Sequence, residues 1–295
     1  MRRMKNLQGV LVPIIIPMLQ DGNLDLEGTR RLAETFLALA SCSGLFALGA
    51  TSEFMHLPFD ERKILIEEFG TVERRGKVIM VNTGGLPLEQ VTELTRLVMS
   101  VGLDGAAVVV PPEVPAEEKA VERYIAAVAE VGAPFTVYWS PVASEHRPSL
   151  ALVNKLMGMK NFVGLKDSSR DMVTFTDICG RYGTEISAFQ GVEMLHLASL
   201  AVGSAGVVGG GLNLYPRLLS EITEAFNRRD LEKARKLQRR VNESWDAIAV
   251  GRGFRSLCKH YWKDRGVIRG TFCREGANLS PSADQMNKLR ALAAL

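Results

Sequence analysis

Short apolar runs alternate with amphipathic stretches along most of this sequence. Residues 45–49 and 106–110 are almost continuously apolar, a pattern typical of strands that are buried on both faces. Residues 24–40, by contrast, carry apolar side chains at helical spacing with charged residues between them. The pattern predicts buried strands that alternate with surface helices.

This alternation predicts eight strand–helix units in the first 227 residues. The predicted strands are residues 10–18, 45–49, 77–81, 106–110, 135–138, 162–165, 186–189 and 205–208. The predicted helices are residues 24–40, 60–73, 88–100, 121–131, 150–157, 172–181, 194–202 and 217–227. Eight such units fit a (β/α)8 TIM barrel, which typically has about 250 residues. A doubly wound sheet fits less well, because the nearest glycine pattern, Gly203, Gly206 and Gly209, lacks the G-x-G-x-x-G spacing of a dinucleotide loop.

The pattern becomes helical alone after residue 227, with predicted helices at 231–247, 254–262 and 283–292. Five basic residues lie mostly on one face of the first of these helices, which is more typical of a solvated face than of nucleic-acid binding. They are Lys233, Arg235, Lys236, Arg239 and Arg240. We therefore interpret residues 1–227 as an α/β barrel that carries the active site. Residues 228–295 are interpreted as a C-terminal helical extension, packed on the barrel or at a subunit contact.

Composition narrows the class of protein. The chain has 295 residues, is 46% hydrophobic and 23% charged, and has a net charge of only +3, which is typical of a soluble globular protein and argues against a nucleic-acid surface. The four cysteines form no C-x-x-C motif, so we expect buried reduced thiols and no metal site. The basic N-terminus is followed by an apolar run that contains Pro13 and Pro17, and no run of 18 apolar residues occurs. We expect a cytoplasmic protein without a signal peptide and without membrane contact.

Candidate catalytic residues lie at the C-terminal ends of the predicted strands, where barrel enzymes gather their active sites. Lys166 follows the sixth strand, behind the apolar residues 162–165. Burial at this place disfavours the ammonium form. A lysine that acts near pH 7–8 needs its pKa lowered by roughly 3 units, which corresponds to about 4 kcal/mol. The alternative is a lysine whose ammonium group reaches water at the rim of the sheet.

The neighbouring fifth strand offers a phenol to this lysine. Alternation of side chains along a strand predicts that Lys166 shares a face with Phe162 and Gly164. The same rule places Tyr138 on one face with Thr136. Strands five and six are then expected to present a phenol beside an amine.

The end of the second strand offers an anion site. Backbone N–H groups of residues 49–51 and the Thr51 hydroxyl are suited to hold a carboxylate. A lysine, a nearby tyrosine and a carboxylate site are what Schiff-base chemistry on a 2-oxo acid requires, because the amine adds to the ketone, the protonated imine withdraws electrons, and the phenol transfers protons. Together these groups make Lys166 the predicted nucleophile and Tyr138 its proton-transfer partner.

Three motifs resemble those of the dihydrodipicolinate synthase / N-acetylneuraminate lyase family of Schiff-base-forming class I lyases. They are Gly49-Ala50-Thr51-Ser52-Glu53 against G-[TS]-T-G-E, Tyr138-Trp139-Ser140-Pro141 against Y-N-x-P, and Val163-Gly164-Leu165-Lys166-Asp167-Ser168-Ser169 against V-G-[IL]-K-x-[ST]-S. The resemblance runs from about Gly9 to the C-terminal helices. It implies that Lys166 forms an imine with pyruvate or a similar substrate, that Tyr138 relays protons, and that Thr51 helps to hold the carboxylate.

The resemblance also implies the other requirements of the site. No metal or organic cofactor is expected, since the lysine imine carries the chemistry. The partner is expected to be a small-molecule 2-oxo acid rather than a nucleic acid, and the family's usual assembly implies a homotetramer or homodimer. The expected substrate-binding residues are Ala50, Thr51, Gly191, Glu193, Val208 and Arg147.

Four residues depart from the family pattern. Ala50 stands where the family usually has a hydroxyl that belongs to the proton relay. Pro112 and Glu113 replace a tyrosine pair of the synthases, and Ala143 replaces the arginine that meets their second substrate. A synthase role in lysine formation is therefore not expected.

Three further residues are candidates for binding the tail of the substrate. His146 and Arg147 either supply a tail-binding group or are exposed loop residues. Glu193 aligns with an acidic position that sialic acid lyases use for substrate hydroxyls, although a carboxylate at a helix start would look the same. We hypothesise a lyase or aldolase that acts on a 2-oxo acid through a Lys166 imine. A dehydratase that uses the same imine and a vestigial 2-oxo-acid-binding homologue are the alternatives.

Overall fold

The computed structural model describes residues 7–248 and 253–294. Eight parallel strands form a closed barrel in which each strand pairs with the next along the chain, and the last pairs with the first. The strands are β1 (Gly9–Val12), β2 (Gly44–Ala47), β3 (Val78–Asn82), β4 (Gly105–Val108), β5 (Phe135–Trp139), β6 (Phe162–Asp167), β7 (Ser187–Gln190) and β8 (Gly206–Val207). The predicted α/β class and (β/α)8 barrel are confirmed.

Helices alternate with the strands and cover the outside of the barrel. They are α1 (Leu26–Ala38), α2 (Phe59–Gly70), α3 (Leu88–Ser100), α4 (Glu118–Ala129), α5 (Leu150–Leu156), α6 (Met172–Tyr182), α7 (His196–Ala201) and α8 (Pro216–Asn227). The C-terminal extension follows as α9 (Leu231–Ile248), α10 (Phe254–Asp264) and α11 (Ala283–Ala293). The predicted helical extension is therefore confirmed.

The side chains of the strands form one apolar layer inside the barrel and another beneath the helices. Phe46 and Tyr138 belong to the interior layer, and Thr136 lies on the same face of β5 as Tyr138, as predicted. Val137 and Leu165 belong to the outer layer. Because the strands are buried on both faces, they appear in the sequence as continuous apolar runs.

β6 does not alternate regularly along its length. Phe162 and Gly164 pair with consecutive residues of β5, so Val163 is an extra residue in the strand. Val163 packs inside the barrel, whereas Phe162 packs outside it. The prediction that Phe162 shares a face with Lys166 is wrong, because a rule of simple alternation does not allow for a β-bulge.

β1 is shorter than the predicted strand of residues 10–18. It ends at Val12, and Pro13 has no N–H group to continue the sheet. The buried chain beyond it is tied to the loop after β8, since the Asn213 side chain accepts from Ile15 N at 3.1 Å and donates to the Pro13 carbonyl at 2.9 Å. In this segment the side-chain amide of Asn213 thus makes backbone hydrogen bonds of the kind that a neighbouring strand would otherwise make.

The C-terminal helices pack on the barrel. The Trp262 indole donates to the Asn213 carbonyl at 2.8 Å and lies edge-on to Phe36, with 5.1 Å between ring centroids. One carboxylate oxygen of Asp25 caps α1, and the other accepts from Arg269 N at 2.7 Å. The first and last parts of the described chain therefore share one apolar core.

Composition predicts an exposed basic face on α9 and buried reduced cysteines. The basic side chains of α9 are largely exposed, as predicted for a solvated face, and the four cysteines are buried free thiols. Within residues 7–248 and 253–294, no helix is both long and apolar enough to cross a membrane, and no group of three or more histidine, cysteine, aspartate or glutamate side chains is arranged to hold a metal ion. The basic N-terminal segment, residues 1–6, lies outside the described residues.

Candidate active site

A cavity of about 470 Å³ opens at the C-terminal ends of the strands, the end at which barrel enzymes hold their substrates. Seven of its lining residues are ones that the sequence identifies as site residues: Ala50, Thr51, Tyr138, Lys166, Gly191, Glu193 and Val208. The other lining residues are Ser140, Pro141, Val142, Ser168, Ser169, Arg170, Val192, Met194, Gly210, Trp245, Phe254 and Arg255. We call it the strand-end cavity.

Lys166 lies near the end of β6 and points into the barrel. Its amine is 4.2 Å from the centroid of the Phe46 ring and 4.1 Å from that of the Tyr138 ring, and the residue is only 4% exposed. This burial excludes an ammonium group that reaches water at the rim. Burial lowers the pKa of the Lys166 amine, with Tyr138 and then Glu193 opposing the shift. The neutral, nucleophilic amine is therefore more abundant than in a free lysine at the same pH.

Tyr138 is the register partner of Lys166 on β5. Its ring lies edge-on to Phe46, with 5.3 Å between centroids, and the residue is buried. Burial alone would raise the pKa of the Tyr138 phenol, but the charge of Lys166 and hydrogen bonding with Ser140, Lys166 and Ser168 outweigh it and lower the pKa. A phenol with a lowered pKa exchanges its proton more readily near neutral pH.

The second strand is followed by a single 3-10 turn, Ala50–Ser52. The first N–H groups of such a turn have no partner within it, and no side chain caps this one. A Cβ added at Gly49 would lie 2.9 Å from the Phe46 ring and 3.9 Å from the amine of Lys166, so the turn closely approaches the lysine. The uncapped N–H groups and the Thr51 hydroxyl are donors suited to hold an anion beside that amine.

Residues of the C-terminal extension hold this turn in place. Arg255 donates to the Ala50 carbonyl through Nε at 3.2 Å and Nη2 at 3.0 Å, and it forms an ion pair with Glu275. Lys259 Nζ lies 2.6 Å from Glu53 Oε1 at the end of the turn. Sequence reasoning missed both basic residues, because contacts between positions 205 and 206 residues apart leave no local pattern.

Glu193 begins the turn after β7 and is buried beside the loop that follows β8. Its Oε1 accepts a hydrogen bond from Gly211 N at 2.6 Å. A Cβ at Gly209 would lie 2.2 Å from Glu193 Oε2, so glycine there leaves room for the carboxyl group. Burial raises the pKa of Glu193 and outweighs its backbone hydrogen bonds and the charge of Lys166. This carboxyl group is therefore able to hold a proton closer to neutral pH than an exposed glutamate.

Gly191 and Val208 form the wall of the cavity between β6 and β8. Gly191 N donates to the Asp167 carbonyl at 2.7 Å, and Val208 N donates to the Gln190 carbonyl at 2.8 Å. A Cβ at Gly191 would lie 2.0 Å from Ser168 Oγ, so a larger residue would displace that hydroxyl. The two predicted residues shape the cavity through their backbone rather than through polar side chains.

Arg147 is a predicted site residue that the structure does not place in the strand-end cavity. It is exposed and lines a separate cavity of about 320 Å³. Its neighbour His146 is hydrogen-bonded through both ring nitrogens, to Ser144 Oγ at 2.5 Å and to the Val114 carbonyl at 3.0 Å. The interpretation as loop residues therefore describes His146 and Arg147 better than tail binding in the main cavity.

Known proteins resemble the chain over almost its whole length. The model of the dihydrodipicolinate synthetase family matches residues 6–294. An uncharacterized DapA-like lyase of Pyrococcus horikoshii is 30% identical over 280 residues, which cover 92% of this chain and 96% of that protein. The 4-hydroxy-tetrahydrodipicolinate synthase of Acidiphilium cryptum is 30% identical over 241 residues, 81% of this chain and 82% of that protein. The solved N-acetylneuraminate lyase of Fusobacterium nucleatum has the same fold, with a TM-score of 0.88 at 19% identity over 98% of both chains.

An eight-stranded βα barrel with a buried lysine on β6 beside a tyrosine on β5 is the arrangement of a class I aldolase-type lyase, and the relatives place the chain in that class. The chain belongs to the dihydrodipicolinate synthetase family. The family resemblance drawn from three short motifs is thereby confirmed.

Proposed function

We propose that this protein is a Schiff-base-forming lyase or aldolase that acts on pyruvate or another 2-oxo acid through an imine on Lys166. One observation supports this above the others: a buried amine with a lowered pKa lies against the ring of a buried tyrosine. A lysine with an ordinary pKa of about 10.4 is almost fully protonated near neutral pH and has no lone pair to attack a ketone.

The 3-10 turn Ala50–Ser52 is the proposed site for the carboxylate of the substrate. Its uncapped N–H groups and the Thr51 hydroxyl lie beside Lys166. In a 2-oxo acid the ketone carbon is bonded directly to the carboxylate carbon. A carboxylate bound at the turn therefore places the electrophilic carbon within reach of the amine.

Imine formation needs one addition and two proton transfers to the ketone oxygen. The neutral Lys166 amine forms a bond to the ketone carbon, and the nitrogen loses a proton while the carbonyl oxygen gains one and becomes a hydroxyl group. That hydroxyl leaves as water after it receives a proton, and a protonated imine remains. Tyr138 lies against the amine and is the proposed donor and acceptor of these protons.

The protonated imine then serves as an electron sink. In aldol cleavage, the bond between C3 and C4 breaks, its electron pair forms an enamine, and the C4 hydroxyl gives its proton to a base. The condensation reverses these steps. Neither direction requires a metal or organic cofactor, so we propose that the protein uses none.

Dehydration is the second candidate, and Glu193 is the observation that favours it. A dehydratase expels a hydroxyl group from the same imine, and that leaving group needs a proton from an acid. Glu193 is a buried carboxyl group with a raised pKa in the same cavity. Such a group is suited to general-acid catalysis near neutral pH.

A synthase role in lysine formation is not part of the proposal, although the relative from Acidiphilium cryptum bears such a name. Pro112, Glu113 and Ala143 lack the side chains that such a role requires according to the family pattern. The proposed partner is therefore a small 2-oxo acid, in a reaction other than the synthase reaction of lysine formation. Assembly as a homotetramer or homodimer is proposed from the family alone.

Trapping of the imine tests the proposal. The protein is incubated with pyruvate and sodium borohydride, and the reduced adduct is located by mass spectrometry of peptides. We expect one adduct, on Lys166. The absence of an adduct, or an adduct on another lysine, would contradict the mechanism.

A panel of hydroxylated 2-oxo acids then separates the candidate reactions. Release of pyruvate with an aldehyde identifies aldol cleavage, and loss of water without carbon–carbon cleavage identifies dehydration. An adduct on Lys166 without turnover of any compound would favour a vestigial binding protein.

A further inference from the structure

The proton-transfer group Tyr138 has restricted access to water. The residue is 3% exposed, and its ring is enclosed by Phe46 and the Lys166 side chain. The nearby Ala50 has only a methyl group and transfers no proton. A second hydroxyl between a buried phenol and the substrate would allow the phenol to exchange its proton in repeated cycles.

Ser140 is the next residue of the same chain segment that faces the strand-end cavity. It is 1% exposed, and among the described residues its Oγ has no hydrogen-bond partner of good geometry. Its position is well held, because its carbonyl accepts from Ala143 N at 2.9 Å and from Ser144 N at 3.0 Å. The hydroxyl is therefore fixed in the wall of the cavity that Tyr138 also lines, and it is close enough to the phenol to lower its pKa.

A buried hydroxyl without a partner needs an explanation. Leaving such a group unsatisfied costs about 1–3 kcal/mol, and native proteins rarely keep it without a role. Ser140 borders the space that the substrate is proposed to occupy. A bound substrate with its leaving water would supply the missing hydrogen-bond partner.

We propose that Ser140 is a catalytic residue that carries protons between Tyr138 and the bound substrate or its leaving water; this inference rests on the proposed imine chemistry. When the substrate loses a proton, the Ser140 hydroxyl gives its proton to the phenolate oxygen of Tyr138, and the Ser140 oxygen receives the proton of the substrate in the same step. When the substrate hydroxyl leaves as water, the two transfers run in the opposite direction. One O–H bond breaks and one forms on the serine, so that no charge remains on it.

Ser168 is the other hydroxyl that affects the phenol. It follows the end of β6 and is half-buried, so that its hydroxyl is accessible to water. An accessible serine gains its hydrogen bonds from solvent without any substrate. The buried hydroxyl of Ser140, which affects the same phenol and has no well-formed hydrogen bond of its own, is therefore the better candidate for the transfer.

Two readouts test this role in the intact protein. Borohydride trapping with pyruvate reports imine formation, and exchange of the pyruvate methyl protons in D2O, followed by NMR, reports proton transfer through the enamine. We expect Ser140→Ala to slow methyl exchange by at least about tenfold, within the range of lost acid–base groups. The amount of adduct, trapped by borohydride after imine formation has reached equilibrium, should stay within about twofold of the wild type, since the amine and the carboxylate turn are intact and a proton carrier changes only the rate.

Two further variants decide whether the effect belongs to the hydroxyl. Ser140→Thr keeps a hydroxyl and should restore most of the exchange rate, whereas Ser100→Ala removes an exposed hydroxyl at the end of α3, outside the cavity, and should exchange like the wild type. Unchanged exchange in Ser140→Ala, or equally slow exchange in Ser140→Ala and Ser140→Thr, would overturn the role of Ser140. A wild-type protein that forms no adduct would instead overturn the imine chemistry itself, and the Ser140 role would fall with it.

Discussion

Two lysines are buried within the described residues, and they lie in opposite chemical surroundings. Lys166 is 4% exposed and faces the rings of Phe46 and Tyr138. Lys259 is completely buried, and its amine donates to Glu53 Oε1 and to the Phe272 carbonyl, both at 2.6 Å. The amine of Lys166 contacts two aromatic rings, one of them a phenol, whereas the amine of Lys259 is hydrogen-bonded to a carboxylate and a carbonyl.

This difference separates the lysine that we propose as the nucleophile from a structural one. A carboxylate partner compensates the charge of Lys259, and the ion pair joins α10 to the turn that follows β2. The amine of Lys166 has no carboxylate hydrogen-bonded to it among the described residues, and burial lowers its pKa. Burial alone therefore does not make a lysine a nucleophile, since the outcome depends on the group that faces the amine.

The largest expected effect is that of Lys166→Met on catalysis. Turnover should fall by more than about 10⁴-fold, as in other enzymes that lose their nucleophile, and borohydride should trap no adduct. Kinetic assays and mass spectrometry measure both effects. The exposed Lys155→Met, which removes ion pairs with Glu118 and Glu122, serves as the control and should retain activity.

Lys166→Met should also lose the part of the pH dependence of the unfolding free energy that comes from Lys166. The folded-state pKa of Lys166 lies below the ordinary value of 10.5. Between those two values the unfolded chain binds more protons than the folded chain, so the free energy of unfolding of the wild type rises with pH across that interval. Urea unfolding should show no such contribution in Lys166→Met. An identical pH dependence in the two proteins would mean that Lys166 titrates as an ordinary lysine.

Lys259→Met should lower the stability of the fold, whereas Lys166→Met lowers catalysis. The carboxylate of Glu53 would remain buried without its partner, which typically costs about 3–5 kcal/mol of unfolding free energy. Urea unfolding measures this loss. The double variant Glu53→Gln with Lys259→Met should recover part of it, because no buried charge is then left alone. If Lys259→Met unfolds at the same urea concentration as the wild type, the ion pair does not stabilise the fold.

Of the three variants, Tyr138→Phe is expected to have the smallest effect. Turnover should fall by about 10²-fold, because a proton-transfer group is lost, whereas trapping should fall less. Tyr138 also raises the pKa of Lys166 against the effect of burial. The pH midpoint of the trapping rate should therefore shift downward in the variant. A midpoint that stays in place, with turnover unchanged, would remove Tyr138 from the proton transfer.

The site could be predicted where local pattern and position coincide. Lys166, Tyr138 and Thr51 each follow an apolar strand, and parallel strands of a barrel end on the same side. Arg147 was predicted by proximity along the chain to the strand-five motif, but its loop directs it to another cavity. Arg255 could not be predicted, because it approaches the turn from a helix more than two hundred residues away.

Sequence patterns also predict only part of the structure of a single strand. Apolar runs locate the barrel strands, since a strand buried on both faces excludes polar residues. The extra residue Val163 was not predictable, because a bulge depends on the pairing of β6 with β5 rather than on composition. Simple alternation consequently predicts that Phe162 points into the barrel, whereas it packs outside it.

The sequence by itself determined the eightfold alternation of strands and helices, the family, and the position of Lys166 behind an apolar strand. Periodicity reports which residues are buried, because burial follows from the local order of polar and apolar side chains. Only the tertiary structure decided that Lys166 faces a phenol while Lys259 faces a carboxylate. The protonation of a buried amine depends on charges and hydrogen bonds across space, and these come from residues that are distant along the chain.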